Sequence, residues 1–293
     1  MKVLLATDGS EHSEGAARFL TRFNFSSKDE ILVFHAISEV PFDDDYSAQV
    51  KLVIRRVAPK ILRDAAVILK PLGANVVTAE EEGYPDTAII EKAADYGADL
   101  IVMGARGVKG VQILFLGSAT RAVAINSTKP VLVFKRPSWK ESGQMKVLFA
   151  TDGSEIACAA GQFLSSLPLP AETEITVMHT AVSFVADIPE KYLKELGEEL
   201  TAKPSTFKES ERIFAEAQQC LSGFTKIDYL LRTGDPSREI LNMEKILNPD
   251  IIVIGCRGLR GIKSMLGSVS RRILGNSESS VLIGRSTAGA DIS

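Results

Sequence analysis

Two short stretches carry most of the chemistry that this chain could do. In the first, Gly104-Ala-Arg-Gly107 follows an apolar run ending at Met103, and after nine residues Gly117-Ser118 opens a helical stretch. A polyphosphate needs several backbone N–H groups aimed at it, and glycines let the chain approach that closely. The unsatisfied N–H groups and positive dipole end of a helix opening at Gly117 would hold phosphate oxygens, with the Ser118 and Thr120 hydroxyls as further donors. The pattern returns at Gly255 to Gly258 and Gly267-Ser268, with eight residues in place of nine between the second and third glycines. That loop is one residue shorter, and its cradle is expected to be distorted.

Other candidates are weaker. Asp8 and Asp152 each sit in T-D-G-S, which is both a place for a ligand-binding carboxylate and an ordinary turn and helix-cap sequence. Ser10 and Ser154 read as caps, because neither half offers a spare histidine and a third group to activate a hydroxyl. His35 and His179 end apolar runs and read as partly buried structural residues, and His12 has no evident partner. Arg106 and Arg257 occupy the same loop position, where approach to phosphate and plain solvation are both open readings. Cys256, inside GCRG, is placed to meet a nucleotide but reads as a small buried residue, and Asp43-Asp44-Asp45 suggests a cation site but reads as a solvated acidic loop. No Walker lysine follows the glycines, and no base, metal-binding carboxylate pair or arginine clamp is evident for in-line phosphoryl transfer. Binding, with at most slow hydrolysis, is the activity this constellation supports.

The elements that position these residues come in duplicate. KVLLATDGS at Lys2 to Ser10 returns as KVLFATDGS at Lys146 to Ser154, and VMGARG at Val102 to Gly107 returns as VIGCRG at Val253 to Gly258. Asp8 pairs with Asp152 and His35 with His179 at an offset of 144, whereas Gly83 pairs with Gly234 and Gly104 with Gly255 at 151. Seven extra residues therefore lie between His179 and Gly234. The polar stretch PSWKESGQ marks the junction, giving domains at 1–137 and 145–286 and a linker at 138–144.

Within each half, short aliphatic runs alternate with helical patterns, as βαβ units of a parallel sheet do. Strands are expected at about Lys2–Thr7, Glu30–His35, Asn75–Ala79, Leu100–Met103 and Pro130–Phe134. Val50, Val53, Val57, Ile61, Ala65, Ile68 and Leu72 share one helical face, which Pro59 should kink or split into two helices. A helix should likewise end, and another begin, at Lys203-Pro204. The predicted fold class is α/β: two tandem five-stranded parallel open sheets with helices on both faces, Rossmann-like in form.

Composition excludes several alternatives. With 293 residues, 45% hydrophobic and 24% charged, each half can bury its own core, and no apolar run reaches the roughly 18 residues of a membrane span. A formal net charge of -3 without a concentrated basic stretch gives nucleic acid no purchase. The chain opens on a strand-like run without signal-peptide regions, so a cytoplasmic location is expected. Cys158, Cys220 and Cys256, with no CxxC or Cys/His ligand spacing, are expected to be reduced thiols, with no structural metal.

G-x2-G-x9-G-[ST] after the fourth strand, with an Asp after the first, resembles the universal stress protein family, and both halves resemble it over most of their length. The resemblance implies a five-stranded α/β fold, an ATP-binding subclass that has the glycine motif, and a subclass without it that does not bind nucleotide. It implies ATP, with or without magnesium, as the ligand. Ala6, Thr7, Asp8 and Ala36 would surround adenine and ribose, Met103 and Gly104 would flank the nucleoside, and Gly107, Gly117, Ser118, Ala119 and Thr120 would surround the phosphates. The matching second-half positions are Ala150, Thr151, Asp152, Thr180, Ile254, Gly255, Gly258, Gly267, Ser268, Val269 and Ser270. It also implies that the halves act as an intramolecular pseudo-dimer, while exposed final strands would leave a homodimer open.

Overall fold

The computed structural model describes residues 1–38, 45–107, 116–135, 143–181, 204–257 and 266–285. Most of the predicted linker, residues 138–142, lies outside these. The first half alternates β1 (Lys2–Ala6), α1 (Glu11–Leu20), β2 (Glu30–Ile37), α2 (Asp45–Leu69), β3 (Asn75–Glu82), α3 (Pro85–Asp95), β4 (Leu100–Gly104), α4 (Ser118–Asn126) and β5 (Val131–Phe134). The second repeats the order with β6 (Lys146–Ala150), α5 (Glu155–Ser166), β7 (Glu174–Ala181), α6 (Pro204–Cys220), β8 (Lys226–Thr233), α7 (Pro236–Leu247), β9 (Ile251–Gly255), α8 (Ser268–Asn276) and β10 (Ser280–Gly284). No helix among the described residues is long and apolar enough to cross a membrane.

The chain divides into two compact units. The first comprises Met1–Gly143, Leu167–Pro170 and Glu278–Ile283. Its strand order is β3-β2-β1-β4-β5, all parallel, followed by β10, which pairs antiparallel with β5. This added antiparallel strand departs from the purely parallel five-stranded expectation, because the repeat pattern carries no information about what lies beside a final strand. In the second unit the parallel order is β9-β6-β7-β8. Central strands are apolar throughout, with Val3, Leu4, Leu5, Ile31, Val33, Phe34, Ile101, Val102, Leu132 and Val133 all buried, as helices on both faces require.

Small residues set how closely the helices lie on the sheet. Gly15, Ala16 and Ala17 of α1 are buried, and a Cβ on Gly15 would fall 2.4 Å from the Phe134 ring. In the second unit the bulk is redistributed. Phe149 of β6 packs on Gly161, and Gly284 accommodates Ala160, where a Cβ on the glycine would come within 2.2 Å. A glycine stands in the place of Phe134, and the ring of the second unit comes instead from the strand position that Leu5 holds in the first.

Three expectations need correction. Helix α2 runs unbroken through Pro59. The proline is exposed on the solvent side, and burial of Ala58 and Leu62 beside it holds the helix through the missing hydrogen bond. Second, the buried stripe of α2 is Ala58, Leu62, Ala65 and Leu69, while Val53 and Val57 are 59% and 44% exposed. Two apolar series run side by side here, and the one containing the small Ala58 and Ala65 lets the helix approach most closely. Third, Cys158 and Cys220 form a disulfide between α5 and α6, their Cα atoms 6.0 Å apart, leaving Cys256 as a free buried thiol. Residue spacing is blind to this pair, which is 62 positions apart and brought together only by packing of the two helices.

Thiol titration of the denatured, unreduced protein should count one cysteine, rising to three after reduction. Replacing both Cys158 and Cys220 with alanine should cost the second unit up to about 4 kcal/mol, the chain-entropy figure for a loop on the order of 60 residues, read as a lower midpoint in denaturant.

Candidate functional site

In the first unit the chain leaves β1 toward β2 on one side, while β4 flanks β1 on the other. The carboxyl ends of β1 and β4 therefore border a topological switch point, the place where open α/β sheets form a crevice. A tightly bonded turn connects β1 to α1. The Thr7 N–H donates to the Phe34 carbonyl at 2.8 Å, and the buried Thr7 hydroxyl accepts from the Gly9 N–H at 3.3 Å and donates to Ser13 Oγ at 3.1 Å. Gly9 has φ +72°, a left-handed conformation that favours glycine. Asp8 Oδ1 accepts from the Ser10 N–H at 3.1 Å and from the Ser10 hydroxyl at 2.5 Å. Ser10 caps α1 by accepting from the Ser13 N–H at 3.3 Å. The cap and the carboxylate are thus separate residues that hold each other.

His35 clasps this turn from β2, its Nδ1 lying 2.7 Å from the Thr7 carbonyl oxygen; that contact makes Nδ1–H the donor. His179 does the same to Thr151 at 2.9 Å. Both are buried, which agrees with their reading as structural residues.

The three glycines after β4 differ in what they answer to. A Cβ on Gly104 would lie 2.6 Å from the His12 carbonyl carbon and 2.7 Å from the Ser13 nitrogen, so the first turn of α1 rests directly on β4. At Gly107 a Cβ would lie 2.4 Å from Asp8 Oδ2. Gly117 is unlike both. Its φ of -57° and ψ of 148° suit any residue, and a Cβ would meet nothing nearer than the Ala105 carbonyl oxygen at 3.5 Å. Among the described residues neither strain nor packing calls for glycine there, although glycine is one of the residues favoured at a helix N-cap. Gly117 is the N-cap of α4, and among the described residues no side chain caps the helix, so its first-turn N–H groups suit an anion.

The remaining predicted positions sort around this crevice. Ala6 and Met103 are paired across β1 and β4 and are buried. Ala36 lies within β2, which continues to Ile37, and is half-buried. Ser118 is exposed and Ala119 half-buried on the first turn of α4. The expectation that Thr120 donates to phosphate is corrected: it is buried and donates its hydroxyl proton to the Gly104 carbonyl at 2.9 Å, tying α4 to the end of β4. Residues 108–115, the interior of the glycine loop, lie outside the described residues, as do Asp43 and Asp44.

The second half repeats this frame closely. Ser154 and Asp152 reproduce the turn, with Asp152 Oδ1 accepting from the Ser154 N–H at 3.0 Å and Ser154 Oγ accepting from the Ala157 N–H at 3.2 Å. Ser270 donates to the Gly255 carbonyl at 2.7 Å, as Thr120 does to Gly104. Gly117 and Gly267 donate equivalent bonds, to Ala105 at 2.9 Å and to Cys256 at 2.8 Å. The loop that is one residue shorter is thus anchored at its far end as in the first half; Gly258 itself lies outside the described residues. Ala150 and Ile254 are paired across β6 and β9, Thr180 is buried within β7, and Ser268 and Val269 open α8.

One residue at this crevice carries no role by sequence alone. His12 stands in the first turn of α1, its Cβ 2.8 Å from the position a Cβ on Gly104 would take. Burial and the nearby Arg106 guanidinium hold its pKa below the ordinary histidine value, against the opposing pull of Glu11 and Asp8. The available signal is positional: His12 lies two residues past the cap, where its counterpart in the repeat is Ile156.

The sequence model of the universal stress protein family matches residues 1–135 and again 144–285. The chain belongs to the universal stress protein family. A universal stress protein of Methanocaldococcus jannaschii is 28% identical over 153 residues, covering 46% of this chain and 94% of its own length. One from Thermus aquaticus is 33% identical over 137 residues, covering 45% of this chain and 97% of its own. Each single universal stress protein is thus matched almost entirely by about half of this tandem chain. A crystal structure of a universal stress protein from Archaeoglobus fulgidus shares the fold along the whole length, with a TM-score of 0.66, 24% identity and coverage of 97% and 98%.

The glycines separate by experiment. Gly104→Ala should lower stability by about 1–3 kcal/mol, because a backbone contact cannot give way as a flexible side chain would. Gly117→Ala should cost less, about 0.5 kcal/mol, the penalty of alanine in place of a favoured N-cap residue. Chemical denaturation of the two variants checks both.

Proposed function

We propose that the first half of this universal stress protein binds an adenine nucleotide at the switch point between β1 and β4, with the phosphates on Gly107, Gly117 and the first turn of α4. The observation that carries this reading is Gly117. A helix N-terminus with no side-chain cap among the described residues opens at Gly117, at the far end of the loop whose Gly107 lies against Asp8, and neither the backbone angles of Gly117 nor its described neighbours exclude a side chain there. Close approach by a ligand accounts for the glycine. Met103, Gly104, Ala6, Thr7 and Ala36 supply the apolar and backbone lining in which a nucleoside fits, and Asp8, held by Ser10, faces the hydroxyl-bearing part of the ligand. The adenine base and ATP as the particular nucleotide follow from the family resemblance. Binding without rapid turnover is the reading, because Asp8 and His35 are both engaged in holding the turn.

The second half offers the same frame through Asp152, Gly255, Gly267 and Ser270, so a second nucleotide site is proposed there.

Protein purified without added ligand, then denatured, should release adenine nucleotide detectable by chromatography with mass detection. Isothermal titration of the emptied protein with ATP should give one or two sites per chain. Asp8→Ala and Gly117→Val should each weaken the first site at least tenfold, the loss of one charge-assisted hydrogen bond being worth about 1.5–3 kcal/mol. Absence of binding up to millimolar ATP would overturn the proposal and leave an interaction scaffold as the function.

A further inference from the structure

The first-half crevice holds a titratable side chain that the second lacks. His12 is seated on the end of β4 through its contact with Gly104, one turn of chain from Ser10, whose hydroxyl touches both Asp8 at 2.5 Å and the Arg106 carbonyl oxygen at 3.2 Å. Among the described residues three charged groups act on it: Arg106 from the glycine loop after β4, Glu11 from its own helix and Asp8 from the turn after β1. In the second half Ile156 occupies this place, its Cγ2 3.2 Å from where a Cβ on Gly255 would stand. Arg257 is retained there, so the imidazole is present in the first crevice and replaced by an aliphatic chain in the second.

We propose that His12 is a further ligand-binding residue of the first-half site, taking up a proton when the phosphates of a nucleotide bind, so that this site alone binds more tightly as pH falls. The proposal rests on the nucleotide-binding reading above. Its physical basis is the balance of charge around the imidazole. Without an anion, partial burial, the Arg106 guanidinium and the positive end of α1 all disfavour the imidazolium. A polyphosphate on the adjacent loop neutralises Arg106 and places negative charge within reach of the ring, which reverses the preference. By linkage, affinity then increases as pH drops through the pKa of the bound state and levels off below that of the free state. The second site, with isoleucine at the equivalent position, lacks this dependence.

The test is calorimetric titration of the full chain with ATP at pH 6, 7 and 8, in buffers of differing ionisation enthalpy, comparing wild type with His12→Asn and His12→Lys. Comparison with the asparagine variant cancels the titration of ATP's own phosphates. Wild type should gain affinity over His12→Asn on acidification, by up to about tenfold for each unit by which the ligand raises the imidazole's pKa, and should absorb more protons on binding. His12→Lys should bind at pH 8 about as tightly as wild type at pH 6. Thermal melting followed by circular dichroism confirms that each variant is folded, and at least one of the two must be for the comparison. Parallel pH profiles and equal proton uptake in wild type and a folded variant would overturn the proposal while leaving nucleotide binding intact. No ATP binding by wild type at any pH would instead remove the reading on which it rests.

Discussion

The crevice depends on one close approach of backbone to backbone. Where β4 ends at Gly104, the first turn of α1 comes so near that a single methyl group would collide with it. That contact fixes the height of α1 over the sheet, and with it Ser10, which caps the helix and holds Asp8. Asp8 then occupies the space over Gly107 that a side chain would fill. Parallel pairing of Ala6 with Met103 sets the levels of the two strand ends, and the Thr120 hydroxyl brings the N-terminus of α4 to the same Gly104. Turn, loop and helix end all converge on one residue without a side chain.

The two halves preserve this convergence and vary what surrounds it. Ser270 and Gly255 repeat the tie between helix and strand end, and Asp152 with Ser154 repeats the turn. The differences lie in charge and covalent bracing. Ile156 takes the place of His12 in the repeat, and the second unit carries a disulfide between α5 and α6 where the first relies on packing alone. A duplicated frame has been kept while its two clefts were given different chemistry.

Much of this is legible in the sequence because it is local. Strand positions come from aliphatic runs, the turn from T-D-G-S, the caps from serine two residues past each aspartate, and the crevice from a glycine spacing that resembles the universal stress protein family's. What escapes is tertiary. The face that α2 buries cannot be picked from its pattern because two apolar series lie side by side, and packing distance rather than hydropathy chooses between them. β3 runs to Glu82 against the weak strand preference of glutamate, since pairing with β2 continues as far as Ile37. The disulfide and the seat of His12 on Gly104 each join residues far apart in the chain, and no periodicity records them. Thr120 shows the reverse limit: its hydroxyl suits a phosphate by residue type, yet geometry commits it to a carbonyl.

The exchange of bulk between helix and strand layers bears on how this gene can change. In the first unit a phenyl ring at Phe134 is matched to Gly15; in the second the ring sits at Phe149 against Gly161, and Gly284 stands where Phe134 does. Recombination between the repeats would set Phe134 against the alanine at 159, or leave Gly15 facing a glycine and a void. Either product would carry an overpacked or underfilled contact between helix and sheet, at a cost of about 1–3 kcal/mol. Ring and glycine therefore have to change together within each half.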